Sequence, residues 1–220
     1  MDTGPSDSII DKSSRSWKRH ESAHHWIVRL LKESAHTQLA MIRDPAQRSA
    51  FDELGVPTVV ADVEYPIDHA VRTCDAVIFA AGSGAQTGKD KTVLVDHIGA
   101  IRAVVAAQVQ GARRFVMLSA LNADVDSTSK IAHYHKAKAH ADNHLRETDL
   151  DWTIICPGRL LDDPGTGQVQ ISEQLHGQGH TSRDDLAAAL IGCLTMENTF
   201  RKSFSLLEGA TPIADALRSV

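Results

Sequence analysis

Small residues and one arginine follow two of the apolar segments of the chain. The stretch "FAAGSG" (79–84) leaves a backbone that a ligand can approach closely, because alanine and glycine project little or no side chain. Arg43, in "MIRD", carries a guanidinium that can pair with a phosphate group. Each feature also has a purely structural explanation. The first can be a turn that needs glycine, and the second can be a solvated arginine before a helix cap.

Tyr134 and Lys138 lie four positions apart in "YHKAK". On a helix this spacing puts both side chains on one face. The pair can serve chemistry or ligand binding, and it can equally be a tyrosine that packs along a helix surface. Histidines are concentrated here too, with His140 and His144 at i, i+4, but no carboxylate or cysteine completes a convincing metal-ligand set. We therefore expect a solvated helix face and no metal site.

The composition restricts the classes of protein to which the chain can belong. Its 220 residues, 42% of them hydrophobic, suffice for one sizeable core, and a net charge of −5 provides no positive field for nucleic acid. No apolar run approaches the roughly 18 residues of a membrane span, and the N-terminus lacks a signal pattern. Three widely spaced cysteines in apolar segments indicate buried thiols. We expect a cytoplasmic protein with a small-molecule ligand and without nucleic-acid or membrane partners, while a homo-oligomer stays open.

Short apolar runs alternate with amphipathic stretches, which is typical of β-α units around a parallel sheet. Six runs are predicted to be strands: "TQLAMIR" (37–43), "PTVVAD" (57–62), "DAVIFAA" (75–81), "RRFVMLS" (113–119), "DWTIIC" (151–156) and "KSFSLL" (202–207). Asp44 predicts a helix start, and Gly111 predicts the end of a long helix that begins near Lys89. Residues 22–34 have helical periodicity, whereas 157–180, rich in glycine, is predicted to be a long loop on the substrate side.

A strand should precede the first helix, and none is evident in the sequence. Residues 1–21 are rich in charged residues and serine, and Ile9–Ile10 is their only pair of adjacent β-branched residues. We therefore expect a diverged or disordered arm, followed by a domain over 22–220. Either residues 5–20, which contain no glycine, supply an unconventional strand and loop, or this segment is a diverged or frame-shifted remnant of an ordinary start. The coding DNA would decide between these alternatives.

Several stretches together resemble one known family. They are "AMIRDPAQ", "VVADVE", "DAVIFAAGSGAQTGKDKTVLVDHIGA", "RRFVMLSALNAD", "YHKAK", "LDWTIICPGRL" and "TSRDDLAAAL". From about Leu30 to the C-terminus, the chain is similar to the atypical short-chain dehydrogenases/reductases, specifically the small bacterial NAD(P)-binding proteins related to epimerases and dehydratases. The resemblance implies an α/β fold with a Rossmann-like, doubly wound parallel sheet in three layers, here with a degenerate first strand. NAD(P) would lie across the carboxyl ends of the strands.

The resemblance also implies roles for individual residues. Tyr134 would be the general acid or base, Lys138 would lower the pKa of Tyr134 and bind the nicotinamide ribose, and Ser119 would bind the substrate oxygen. The family often has a second serine after this position, where this chain has Ala120. The implied cofactor contacts are Arg43, Asp62, Ala80, Ala81, Gly82, Ser83, Thr87, Lys138, Pro157 and Gly158. Of these, Asp62 and the Pro157–Gly158 pair can equally belong to ordinary turns at strand ends.

Two functions are open at this point. One is an NAD(P)-dependent oxidoreductase or epimerase-like enzyme that acts on a small carbonyl or alcohol. The other is a non-catalytic protein that binds a nucleotide weakly or not at all and acts through a partner. The family pattern has G-x-x-G-x-x-G before the first helix, whose N-terminus receives the pyrophosphate, whereas this chain has Lys18, Arg19, His20, Glu21 and Ser22 there. We therefore expect weakened binding of NADP or NAD.

Overall fold

The computed structural model describes residues 6–10, 23–32, 34–84, 87–173 and 178–220. Its strands are β1 (Ser6–Ile10), β2 (Thr37–Ile42), β3 (Thr58–Val60), β4 (Ala76–Phe79), β5 (Arg114–Leu118), β6 (Asp151–Pro157), β7 (Arg159–Leu161), β8 (Gln168–Ser172), β9 (His180–Ser182), β10 (Lys202–Glu208) and β11 (Thr211–Pro212). Its α-helices are α1 (Ala23–Lys32), α2 (Arg48–Asp52), α3 (Asp68–Val71), α4 (Lys89–Lys91), α5 (Ala100–Gln110), α6 (Ala132–Arg146), α7 (Arg183–Gly192) and α8 (Ile213–Arg218). A π-helical segment, Thr92–Gly99, joins α4 to α5.

Nine of the described strands form one sheet, in the order β11-β8-β10-β6-β5-β4-β1-β2-β3. The strands from β3 across to β10 are parallel to one another, whereas β8 pairs antiparallel with β10 and with β11. All six strands predicted from the sequence are confirmed. The order β3-β2-β1-β4-β5-β6 is that of a Rossmann-like, doubly wound fold, so the predicted fold class is confirmed as well.

The strand β1 fills the central position for which the sequence offered no evident strand. It pairs in parallel with both neighbours, and Ile10 lies opposite Met41 of β2 and Phe79 of β4. This strand lies within residues 5–20, so the structure agrees with the alternative in which that segment supplies an unconventional strand, and Ser6–Ile10 is not a disordered arm. Backbone groups of β2 and β4 need partners in the middle of a sheet, and this requirement outweighs the weak strand propensity of "SDSII". Residues 11–22, which include the predicted site of the missing glycine loop, lie outside the described residues.

Helices cover both faces of the sheet, and the side chains of β4 alternate between the two resulting cores. Ile78 packs in the core formed with α1 and α7, whereas Val77 and Phe79 pack in the core formed with α5 and α6. Ile27 and Leu31 of α1 are fully buried, as the apolar periodicity of this segment predicted. The result is the expected arrangement of three α/β/α layers.

One helix of the described part, Lys89–Gln110, is long and apolar enough to cross a membrane by length and composition. Its buried residues, among them Ala100, Val104 and Ala107, pack in the core against the sheet. The hydropathy of this helix is therefore that of a core helix. Its π-helical part also buries one carboxylate, that of Asp96.

The segment 157–180 is more regular than the long loop that the sequence predicted. It contains β7 and β8 and reaches the first residue of β9. Asp185 of α7 holds the turn before β8, because its carboxylate accepts hydrogen bonds from the N–H groups of Thr166 (3.0 Å) and Gly167 (2.8 Å). The sequence of β8, "QVQIS", has no apolar run because strands near a sheet edge tolerate polar side chains.

Candidate functional site

The crevice of this fold lies at the carboxyl ends of β1 and β4, where the chain changes from one face of the sheet to the other. The helix after β1 packs in one core, and the helix Lys89–Gln110 after β4 packs in the other. In open α/β sheets ligands bind at such a switch point. Ala80, Ala81 and Gly82 follow β4 at this edge, and Ser119 follows β5. The predicted stretch of small residues therefore lies beside the crevice.

Three polar residues of α6 share one helix face that meets this edge. Tyr134, Lys138 and Asp142 are spaced i, i+4 and i+8. The side chain of Lys138 is 3% exposed, and its Nζ donates to the carbonyl oxygens of Leu118 (3.1 Å) and Ala81 (3.4 Å). One buried ammonium thus joins α6 to the carboxyl ends of β4 and β5. The prediction that Tyr134 and Lys138 share a face is confirmed.

Asp96, which the sequence analysis did not single out, neutralises Lys138. The residue is 0% exposed, and its Oδ1 lies 3.3 Å from the Nζ of Lys138. Its Oδ2 accepts a hydrogen bond of 2.8 Å from the N–H of Ser83. Burial lowers the pKa of Lys138, but attraction to Asp96 and smaller contributions from other groups outweigh this effect and raise the pKa above its ordinary value. The interior therefore retains an ammonium–carboxylate pair, as buried charges require.

Tyr134 lies beside Lys138 and remains a neutral phenol. The Nζ of Lys138 lies 5.9 Å from the centroid of the tyrosine ring. Burial raises the pKa of Tyr134, Lys138 lowers it, and the carboxylates of Asp96 and Asp142 raise it further, so that the pKa lies above its ordinary value. Tyr134 is therefore equipped to donate a proton at neutral pH. It is not a preformed base.

Ser119 and Asp142 form a second buried pair at the end of β5. The Oγ of Ser119 donates to Oδ2 of Asp142 at 2.5 Å, and the two residues are 3% and 2% exposed. Burial raises the pKa of Asp142 to about 6, although the hydrogen bond from Ser119 and the charges of Arg146 and Lys138 lower it. The sequence analysis predicted Ser119 and missed Asp142. Its spacing of four residues from Lys138 was the signal that could have found it.

The loop after β4 is held by its own polar groups. Thr87 donates from Oγ1 to the carbonyl oxygen of Ser83 at 2.9 Å, and the hydroxyls of Ser83 and Thr92 lie 3.1 Å apart. A Cβ atom on Gly82 would lie only 3.1 Å from Oδ1 of Asp96. The buried carboxylate therefore accounts for the small residue at position 82. Contacts of Gly82, Ser83 and Thr87 with a cofactor stay predictions.

Arg43 and Asp62 lie on the other side of β1, just after β2 and β3. The N–H of Arg43 donates to the side chain of Gln47 at 3.1 Å, within the cap of the following helix. Oδ1 of Asp62 accepts a hydrogen bond of 3.0 Å from the N–H of Glu64, which is the turn-capping role considered as its alternative. The cofactor contacts of both residues stay predictions.

Pro157 and Gly158 lie where β6 ends. The N–H of Gly158 donates to the hydroxyl of Thr181 at 3.1 Å and to the carbonyl oxygen of Leu206 at 3.3 Å. A Cβ atom on Gly158 would collide with the backbone carbonyl of Gly179. This crossing of two backbones accounts for the glycine, and a contact of the pair with a nicotinamide stays a prediction.

The histidines of α6 meet a histidine from the π-helical segment. The rings of His97 and His140 stack with their centroids 5.0 Å apart. Burial, together with repulsion from His140 and His144, lowers the pKa of His97. Across the part of the chain that the structure describes, no group of three His, Cys, Asp or Glu residues could hold a metal ion.

Two groups of described residues are suited to bind the two ends of a nicotinamide dinucleotide, namely the nicotinamide end and the 2′-phosphate end. The small residues after β4 permit the close approach of a ribose and a nicotinamide, with Ser119 and the Tyr134 face of α6 at the same edge. Arg43 follows β2, where a 2′-phosphate would lie in this fold. The pyrophosphate would lie near residues 11–22, outside the described residues. When bound, such a cofactor donates or accepts a hydride.

Comparison with known proteins agrees with this geometry. The chain matches a family described as NAD(P)H-binding over residues 21–197. It is 42% identical over 190 residues to a Bacillus subtilis protein named as an uncharacterised sugar epimerase, YhfK, with 84% of this chain and 88% of the relative covered. A Bacillus halodurans structure provisionally named an NAD-dependent epimerase/dehydratase has a TM-score of 0.88 at 33% identity, over 97% of this chain and 100% of that chain.

A more distant structure shares the fold. It is a short-chain dehydrogenase/reductase of Veillonella parvula in complex with NADP, with a TM-score of 0.67 at 18% identity over 94% of this chain and 96% of that one. The matched range includes all five residues of the polar network at this site, which are Asp96, Ser119, Tyr134, Lys138 and Asp142. The chain therefore belongs to the NAD(P)H-binding family, among the atypical short-chain dehydrogenases/reductases that its motifs resemble.

Proposed function

We propose that this protein is an NAD(P)-dependent oxidoreductase or epimerase-like enzyme that acts on a small carbonyl or alcohol. The observation that carries the proposal is the convergence of Ser119, Tyr134 and Lys138 at the carboxyl ends of β4 and β5, beside the crevice. Membership of the NAD(P)H-binding family supports the cofactor. The names of the two Bacillus relatives support chemistry at a carbonyl or alcohol carbon.

Tyr134 exchanges a proton with the substrate oxygen in this proposal. Its neutral phenol holds the proton that a carbonyl oxygen needs when the carbonyl carbon receives a hydride. Lys138 stabilises the resulting phenolate, because its ammonium is held close to the tyrosine ring. Ser119 orients the substrate oxygen. Asp96 touches none of the reacting atoms and acts as a positioning residue for Lys138.

The cofactor is NADP in preference to NAD, and it binds more weakly than in family members with a glycine loop. Arg43 supplies a cation for the 2′-phosphate. Residues 11–22 contain no glycine, so the close backbone approach that a pyrophosphate needs is restricted there. The remaining proposed contacts are Asp62, Ala80, Ala81, Gly82, Ser83, Thr87, Lys138, Pro157 and Gly158.

The proposal places the protein in the cytoplasm. Cys74, Cys156 and Cys193 form no disulfide within the described residues, Cys74 and Cys193 are buried, and thiols stay reduced in that compartment.

A second candidate is a non-catalytic protein that holds the nucleotide weakly and acts through a partner. Two observations favour it. The segment before α1 lacks glycine, and Asp96 already neutralises the ammonium that would otherwise acidify Tyr134. In this case the polar network would serve the stability of the fold alone.

Binding and turnover measured on the same samples separate the two candidates. NADPH and NADH are titrated by calorimetry, and their oxidation is followed with a panel of small aldehydes, ketones and keto-sugars, with epimerisation of sugars assayed in parallel. Tyr134→Phe should lower turnover by about 10²-fold or more, the usual contribution of an acid or base, and leave NADPH affinity within about twofold. Tyr65→Phe is the matched control, because Tyr65 is exposed. Binding without turnover would support the second candidate, and no binding of either nucleotide would contradict the enzyme.

A further inference from the structure

The substrate side of the crevice continues beyond Ser119 onto the small sheet of β7 and β9. The N–H of Ser119 donates to the carbonyl oxygen of Ile155 at 2.8 Å, and the N–H of Leu121 donates to that of Pro157 at 2.9 Å. The segment after β5 therefore runs beside the end of β6. The strand β7 begins two residues after Pro157, at the same edge of the molecule. Beyond Ser119, on the side away from β4, the next elements that a substrate meets are β7 and β9.

Arg159 and His180 lie opposite each other in this small sheet. The parallel register pairs Arg159 with His180 and Leu160 with Thr181. Leu160 packs against the core formed with α1 and α7, and Thr181 is buried. Because side chains alternate along a strand, Arg159 and His180 point away from that core, and both are exposed. Two basic side chains therefore lie next to each other at the rim of the crevice.

Neither of these basic side chains has an acidic partner in the part of the chain that the structure describes. The side chains of Arg159 and His180 make no hydrogen bond and no ion pair there. The neighbouring Arg183 does have a partner, because its Nη1 lies 3.1 Å from a carboxylate oxygen of Asp162. The backbone alone holds Arg159 in place, since its N–H donates to the carbonyl oxygen of Gly179 at 2.8 Å. The contacts of the described fold thus require a basic side chain at neither position.

The two side chains offer donors that suit an anion. A guanidinium has its N–H groups in a planar fork, which can bind two oxygens of a carboxylate or a phosphate at once. An imidazole N–H on the neighbouring strand adds a further donor. Two residues of extended chain span about 7 Å, so an anionic group a few carbon atoms away from a carbon held at Ser119 can reach this pair. The spacing therefore suits a small substrate with an anionic end.

We propose that Arg159 and His180 bind an anionic group of the substrate, a carboxylate or a phosphate, and thereby select small carbonyl and alcohol substrates that carry such a group. This inference rests on the proposed function, because it names the substrate class of that same site. Neither residue touches the reacting carbon or its oxygen, so both determine specificity, and Tyr134 remains the proton donor. Binding of the remote anion orients the reacting oxygen towards Ser119 and Tyr134.

Matched pairs of aldehydes test this selectivity with NADPH as the reductant. Succinic semialdehyde is compared with its methyl ester, and glyceraldehyde phosphate with glyceraldehyde. In at least one pair, kcat/KM should be about tenfold to a hundredfold higher for the anionic member, the value of a charge-assisted hydrogen bond. Arg159→Gln should remove this ratio and leave kcat/KM of the neutral member within about twofold, which also shows that the variant is folded.

The matched control is Arg113→Gln. Arg113 is an exposed arginine just before β5, at the opposite edge of the sheet, so its loss should leave the ratio unchanged. Arg159→Lys, which keeps the charge and loses the planar fork, should give an intermediate ratio. Equal turnover of both members of each pair by the wild-type enzyme, or a ratio that survives Arg159→Gln, would overturn the inference.

A binding experiment separates this inference from the proposed function, because it needs neither turnover nor cofactor. Sodium phosphate and sodium acetate are titrated into the protein at fixed pH, with chloride keeping the ionic strength constant. The side-chain N–H signal of Arg159 and the ring signals of His180 are followed by NMR. Both should move along one saturation curve with at least one of the anions. The anion that saturates at the lower concentration identifies the group as a phosphate or a carboxylate.

The same variants decide the outcome of the titration. Arg159→Gln should abolish the saturable shift of the His180 signals, whereas Arg113→Gln should retain it. Shifts that do not saturate with either anion, or a His180 shift that is unchanged in Arg159→Gln, would overturn the inference even in an active enzyme. Saturable anion binding without turnover of any aldehyde would instead count against the proposed function alone.

Discussion

The two ends of the crevice differ in how much of the family pattern they keep. At the carboxyl ends of β4 and β5, two buried pairs, Lys138–Asp96 and Ser119–Asp142, tie α6 to the strand ends. At the carboxyl end of β1, the segment that should hold a pyrophosphate contains no glycine and several basic residues. In the proposed function, the first end provides the groups for proton and hydride transfer, whereas the sequence of the second end departs from the family's glycine pattern.

The comparison suggests that the residues for proton and hydride transfer and the residues that bind the pyrophosphate can change independently in evolution. Both partners of each buried pair belong to the domain itself, so the pair contributes to the folded structure whether or not a nucleotide binds tightly. A phosphate loop, in contrast, gains its interaction energy only from the ligand. We therefore expect changes at the first end to affect stability and turnover, and changes at the second end to affect affinity.

The largest expected effect is on the free energy of unfolding of Asp96→Ala. The change leaves the buried ammonium of Lys138 without its carboxylate and the N–H of Ser83 without its acceptor, so unfolding should become about 3–5 kcal/mol easier. Urea unfolding at neutral pH measures the loss. Asp90→Ala, an exposed carboxylate of the same long helix, should cost less than about 1 kcal/mol. Equal losses in the two variants would show that the buried pair is not what holds this end together.

The next effect is the pH dependence of stability that Asp142 confers. Its pKa is raised from 3.8 to about 6 in the folded protein, so the folded state holds the proton more tightly than the unfolded state. The stabilisation is complete below about pH 4 and is lost as pH rises through about 6, for a total of about 3 kcal/mol at 1.36 kcal/mol per pKa unit. Urea unfolding across this range should show the loss in the wild-type protein and not in Asp142→Asn. Parallel pH curves for the two proteins would contradict the burial of an ionisable carboxyl group here.

A smaller effect is expected on cofactor choice from Arg43→Ala. Loss of a charge-assisted contact to the 2′-phosphate should weaken NADP binding about tenfold or more and leave NAD binding within about twofold. Calorimetric titration of both nucleotides measures the change. Arg48→Ala, an exposed arginine of the neighbouring helix, should alter neither affinity. Equal weakening of NADP and NAD by Arg43→Ala would place this residue outside the 2′-phosphate site.

Much of the fold followed from local patterns in the sequence. The strands that became β2, β4 and β5 are apolar runs buried on both faces, which is the clearest signal of a parallel sheet. The strand β1 gave no such signal. Its position depends on the backbone groups of β2 and β4, which need a hydrogen-bonding partner between them. This tertiary requirement is not visible in the local sequence "SDSII".

The candidate site divides in a similar way. Tyr134, Lys138 and Ser119 were found because their spacing and their place after a strand are visible in one stretch of sequence. Asp96 and Asp142 were missed, because the role of each depends on a buried partner that is distant in the sequence. Asp96 pairs with Lys138, 42 residues away. Asp142 pairs with Ser119, 23 residues away. Only the packing of α6 against the long helix and the strand ends brings these partners together.

The most direct test of the divergence between the two ends is the affinity for NADP of the native chain and of a variant in which a G-x-x-G-x-x-G loop replaces the segment 11–22. Calorimetry on both proteins should show binding to the native chain at least about tenfold weaker, because each lost charge-assisted hydrogen bond to the pyrophosphate costs about 1.5–3 kcal/mol. Lys18 and Arg19 can recover part of this loss, at an entropic cost of up to about 2 kcal/mol for each ordered side chain. Both proteins should prefer NADP over NAD through Arg43. Equally tight NADP binding by the two proteins would contradict the account and show that this glycine-free segment builds a phosphate site of its own.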